Sequence, residues 1–123
     1  MTEPIDKIHL ASKLAQISEY WDPKIVAELN GQHVKLAKVK GDFIWHHHDD
    51  QDELFLILKG RLTMHLRDRI VELEEGDGFV VPRGVEHKPE AQDEAHILMF
   101  EPVGTLNTGN IESDRTRSSL ERI

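Results

Sequence analysis

Apolar positions alternate with a period of two along most of this chain, and helical spacing is confined to its start. Ile5, Ile8, Leu14 and Ile17 fall at loosely helical intervals, which predicts a short helix near residues 10–18 in an otherwise irregular arm. Asp22–Pro23 breaks that pattern as a turn. Asn30–Gly31 then separates two strand-like runs. Both residue types tolerate positive φ, so the pair predicts a tight hairpin. Beyond it the pattern predicts strands at residues 34–40, 43–48, 54–59, 61–66, 70–73, 78–81 and 95–101, joined by short polar connectors. Many short strands without βαβ spacing imply an all-β sandwich or barrel. The expected organisation is an arm and first strand over residues 1–31, a barrel over 32–103, and a polar tail over 104–123 packed on the barrel or on a partner subunit.

Alternation also assigns faces. Leu54, Leu56 and Leu58 alternate with Glu53, Phe55 and Ile57, so both faces of that strand are apolar apart from one carboxylate. One face lines the barrel; the other needs cover from the arm, a sheet edge or a second copy of the chain. Met64 with Leu66, Phe79 with Val81, and Leu98 with Phe100 read as barrel-lining pairs. His96 shares the parity of Leu98, which makes it a candidate to approach the cavity as a hydrogen-bond donor or proton carrier.

Composition narrows the classes. At 123 residues the chain has the size of one domain. A formal charge of −8 argues against a non-specific grip on nucleic acid or an anionic membrane surface. No run approaches the roughly 18 apolar residues that span a bilayer. With no cysteine, disulfides and thiolate ligands are excluded, and a reducing compartment, the cytoplasm, is expected. The acidic start, lacking a long apolar run, reads as no signal peptide.

Three consecutive histidines, His46, His47 and His48, carry the strongest chemical signal. On a strand, His46 and His48 share one face while His47 turns away with Phe43 and Trp45. The run is therefore a His-x-His pair with an odd neighbour. Glu53 opens the next strand, where an antiparallel return brings its carboxylate beside the pair. Asp49, Asp50 and Asp52 read as solvated loop residues. Thirty residues on, Gly76, Pro82 and Gly84 shape a rigid turn, and His87 enters the strand after it. Arg83 within that turn reads as solvated, with a rim position as the alternative.

These two stretches resemble the cupin family. Gly41, four residues, His46-x-His48, four residues, Glu53, six residues and Gly60 follow its first motif, one residue short after the first glycine. Gly76, five residues, Pro82, one residue, Gly84, two residues and His87 follow its second. Ala91 stands where that motif often has asparagine. The resemblance implies an all-β fold, a double-stranded β-helix or jelly-roll β-barrel, with a short N-terminal helical arm. It also implies a homodimer and a metal site of His46, His48, Glu53 and His87.

Imidazoles with one carboxylate suit one divalent Fe, Mn, Ni, Co or Zn ion per chain. Four protein ligands on an octahedral ion leave two positions open. The resemblance then implies isomerase, lyase or dioxygenase chemistry on a small organic molecule, with a non-catalytic metal- or ligand-binding barrel as the alternative. The apparent inward faces offer few cations, which counts mildly against phosphate substrates. A small organic acid, ketone or phenol is the preferred ligand class.

Overall fold

The structure, a computed structural model, describes residues 5–123. A single turn-and-a-half helix, α1 (Leu10–Ala15), precedes seven strands: β1 (Lys24–Leu29), β2 (Gln32–Asp42), β3 (Glu53–Lys59), β4 (Arg61–Leu66), β5 (Ile70–Glu74), β6 (Gly78–Val81) and β7 (His87–Pro102). The β1–β2 hairpin turns through Asn30 and Gly31, with φ of 49° and 73°, the geometry that Asn-Gly supplies with little strain. Every ladder is antiparallel, and the principal strand order is β1-β2-β7-β3-β6.

Strand β7 organises the jelly roll. Its second half lies between β2 and β3, pairing Leu36 and Leu56 with Leu98 from either side. Its first half leaves β3 and pairs with β4, from Leu66↔His87 to Thr63↔Glu90, while β4 pairs on with β5. One long strand thus crosses between two groups of strands and closes the barrel around a shared interior.

That interior is filled by alternate residues. Ala37 and Val39, Phe55 and Ile57, Leu62 and Met64, and Ala95, Ile97 and Met99 form one buried cluster. Burying a side chain the size of Ile57 or Leu62 contributes about 2 kcal/mol. A second, smaller cluster lies outside the sheet. Ile17, Val26 and Leu36 pack there with Leu10, Leu14, Leu58, Leu98 and Ile123. Part of the cover that the outer face of β3 needs therefore comes from the arm and the last residue of the same chain. The C-terminus also occupies the free edge of β1: Ile25 N donates to Glu121 O at 2.9 Å, and Ile123 N donates to Ile25 O at 2.9 Å. An edge strand otherwise presents unpaired backbone groups.

Three expectations need correction. Residues 43–48 make no ladder; only His46 bridges to His87. The last strand begins at His87, not Ala95, because its first half pairs with a different neighbour. Leu98 and Phe100 face outward, and the inward set of β7 is Ala95, Ile97, Met99 and Glu101. Residues 97–100 are all apolar, so hydropathy could not choose between the faces.

Candidate metal centre

Each of the four candidate ligands reaches the interior by its own backbone route. Glu53 begins β3 and shares the inward parity of Phe55 and Ile57. His87 begins β7, paired with Leu66. His46 is held against His87 by reciprocal backbone bonds, His46 N to His87 O at 3.0 Å and His87 N to His46 O at 2.9 Å. The carbonyl of His48 accepts the amide of Gly84 at 2.7 Å. Asp52 accepts the amide of Arg83 at 2.8 Å and its guanidinium at 3.3 Å, and the guanidinium, then the amide, hold the Asp52 carboxyl below the usual range. The rigid turn before His87 is thereby clasped to the loop that carries His48.

The four side chains converge. His46, His48, Glu53 and His87 are all buried, and one ligand atom from each lies within 4.8 Å of all the others. Glu53 Oε1 sits 3.4 Å from Nε2 of both His48 and His87. None of these three atoms has a hydrogen-bond partner among the described residues. Buried polar atoms are seldom left unpaired, so three of them facing one point need an occupant. Backbone carbonyls set the tautomers: Nδ1 of His46 donates to Ile44 O at 2.8 Å, and Nδ1 of His87 donates to Val85 O at 2.9 Å. Both rings then present the Nε2 lone pair inward, as a cation requires.

Electrostatics agree with that use. Burial, reinforced by the neighbouring His87, lowers the pKa of His46 to about 4, so its ring is neutral at pH 7. Burial alone would raise Glu53. The facing carboxyl of Glu101 and the imidazoles of His48 and His87 outweigh it and hold Glu53 well below the usual carboxylate range. A neutral His46 ring and an anionic Glu53 carboxylate are the forms in which these two groups bind a divalent transition ion.

The remaining candidates lie elsewhere. His47 turns away, its Nε2 2.9 Å from Asp49 Oδ1. His96, expected as a candidate for the cavity, lies on the outer parity of β7 and pairs with Glu94 at 2.8 Å. Arg83 is an exposed partner of Asp52. Phe43 was expected to face away; instead it is buried, stacks on Trp21 at 5.0 Å and meets the His46 ring edge-on at 5.5 Å. Without a ladder, strict alternation lapses between Phe43 and His46.

A cavity of about 40 Å³ adjoins the cluster, with His46, Glu53, Phe43 and Phe55 in its wall. Three further lining or bracing residues went unremarked in the sequence. Glu101 lines the cavity from β7, and Lys35 on β2 donates to it at 2.7 Å, both nearly fully buried. Parity with Ala37 and Val39 was the available signal for Lys35. Asn107 reaches the wall from the tail, fixed by Arg115 O and Arg117 N at 2.9 and 2.8 Å. No pattern in the polar tail announced it.

Comparison with known proteins agrees with this geometry. Residues 32–101 match the family described as Cupin_2, cupin domain. The chain belongs to the cupin family. Among solved cupin structures, it is 41% identical to a cupin-2 domain protein from Shewanella frigidimarina NCIMB 400. That match covers 77% of this chain and 93% of the other, with a TM-score of 0.76. It is 31% identical to NMB1881 from Neisseria meningitidis, covering 79% and 99%, with a TM-score of 0.73. A 64-residue stretch, 51% of the chain, is 38% identical to the uncharacterized protein YdbB of Bacillus subtilis (strain 168) and spans 57% of that protein.

Proposed function

We propose that this cupin is a metal-dependent enzyme acting on a small organic molecule, with His46, His48, Glu53 and His87 as the ligands of one divalent transition ion. The observation that carries the reading is the set of buried, unpaired Nε2 and Oε1 atoms directed at one point. A bound ion of this kind supplies Lewis-acid or redox chemistry at its open positions. The chain supplies the rest. Ile44 O and Val85 O fix two imidazoles in the ligating tautomer. Glu53 contributes the negative charge that offsets the cation. Trp21, Phe43 and Phe55 make an apolar wall that limits water beside the site.

The alternating Phe, Leu, Ile and Val core does not depend on the ion, so chelation should leave a folded barrel. Its melting temperature should fall only by the mass-action contribution of the lost ligand. Turnover in a screen of small ketones, organic acids and phenols, with oxygen uptake followed in parallel, should stop on chelation and return on reloading. Outright unfolding on chelation would make the ion structural and overturn the reading. A metalloprotein that binds one compound tightly and converts none would replace it with a binding role.

A further inference from the structure

We propose that Glu101, braced by Lys35, grips the hydroxyl of a small, uncharged hydroxy-ketone whose carbonyl oxygen lies at the metal centre. The inference rests on the ligand assignment above and names the substrate class of that site. Glu101 is 2% exposed and enters from β7 beside Met99. Its Oε1 accepts from Lys35 Nζ at 2.7 Å, and the same ammonium lies 3.4 Å from Thr105 O. Its Oε2 is buried and accepts from no amide, ammonium or hydroxyl donor among the described residues, and the carboxyl that faces Glu101 is that of Glu53. Glu101 is not one of the four mutually close ligands, yet it lines the same cavity as His46 and Glu53. A molecule seated beside the ligands therefore meets this carboxyl.

The wall selects the rest of the molecule. Trp21, Val39, Phe55, Ile97 and Met99 present carbon, so the skeleton is apolar. No lysine or arginine is among the described residues that line the cavity, and Lys35, which stands behind Glu101, is already paired with it, so nothing in the wall is placed to hold a phosphate or carboxylate. One water needs roughly 10–15 Å³ of such space, so a cavity of about 40 Å³ has room for about three or four waters and suits a molecule of only a few non-hydrogen atoms. A hydroxyl both donates and accepts, so it satisfies Oε2 however Glu101 and Glu53 share a proton.

The test uses the cobalt-loaded protein, whose visible absorption reports a molecule entering the metal centre. Hydroxyacetone and acetone are titrated against it. Hydroxyacetone should bind about 10-fold more tightly, the scale of one buried hydrogen bond. In Lys35→Met/Glu101→Leu the preference should shrink to within about threefold, with cobalt still bound. Replacing a buried ion pair by apolar residues of similar volume is often neutral for folding. Glu101→Gln, which still offers a polar group, should keep most of the preference. Equal binding by the wild type overturns the proposal. So does a preference that survives in the double variant, because chelation by two oxygens would then explain it. Should the double variant not fold, the carbon-13 resonance of the Glu101 carboxyl in the zinc-loaded wild type decides: it should shift with hydroxyacetone and stay still with acetone, and no selective shift overturns the proposal. Failure to take up cobalt at all would defeat the ligand assignment itself, whereas cobalt uptake without selectivity defeats only this inference.

Discussion

Glu53 and His87 stand on strands, whereas His46 and His48 stand on a segment with no ladder of its own. Glu53 is fixed by the β3–β6 pairing with Val81, and His87 by β4. The histidine segment has its single bridge to His87 and the Gly84–His48 bond to the turn before it, and its other face is held by the C-terminal tail. Asn110 does this in both directions: its side-chain Oδ1 accepts His47 N at 2.8 Å, and its amide donates to His47 O at 2.9 Å. Gly109 lies so close that an added Cβ would overlap the His47 carbonyl and press on the His46 ring. Arg115 stacks over Phe43 at 4.7 Å and donates to Asp42 O at 3.0 Å. Half of the site is thus built by the barrel, and half depends on a polar tail strapped across it.

Removing the strap is the most direct way to separate the halves. A chain ending at Gly104 loses the buried Thr105 and Thr108, the Asn110 bonds, and the residues seated on β1. Summed over several hydrogen bonds and the packing of Ile123, the cost should reach at least about 4 kcal/mol, a fall of roughly 10 °C or more in melting temperature. Metal affinity should fall with it. An unchanged melting temperature and unchanged metal content would show that the histidine segment holds itself.

Next in size is a pH effect confined to the loop-borne half. His46 titrates near 4 in the folded protein, against 6.5 for an ordinary histidine. Between these values the unfolded chain binds the extra proton, so the metal-free protein should lose stability as pH falls from 6.5 towards 4. The loss from this group approaches about 3 kcal/mol. Denaturant titrations of metal-free protein across that range should show the slope, and His46→Gln should flatten it. An identical slope in the variant would place His46 in water and unseat the loop from the interior.

A smaller change targets one atom. Gly109→Ala keeps the tail but sets a methyl group against the His47 carbonyl at a φ of 56°. It should cost about 2 kcal/mol. Weaker metal binding than in an exposed control such as Gly104→Ala should accompany it, and equal behaviour of the two variants would remove Gly109 from the account.

The strand-borne half was also the legible half. Strands β4 and β6 fall where hydropathy placed them, and Glu53 and His87 were singled out as ligands by the resemblance of their surroundings to the two cupin motifs, whose turn residues have strong local preferences. His46 and His48 were paired correctly although the strand assumed for them is absent. Their i, i+2 separation puts both side chains on one side in any extended segment. That tolerance did not reach Phe43, which faces the cavity against alternation. The parity of β7 was illegible because both of its faces are apolar, and Glu101 was lost with it. The tail was expected to pack, but its polar residues bond to backbone atoms of 42–47, and hydropathy does not report such bonds.

The central claim is that four named side chains hold one ion. Protein purified without chelator should carry close to one divalent iron, manganese, nickel, cobalt or zinc ion per chain after gel filtration, measured by elemental analysis. Single alanine substitutions at His46, His48, Glu53 and His87 should each remove most of it, while His47→Ala leaves it in place. A metal-free wild type that takes up none of these ions on reloading would contradict the account, and so would a His47→Ala variant that empties the site while His46→Ala spares it.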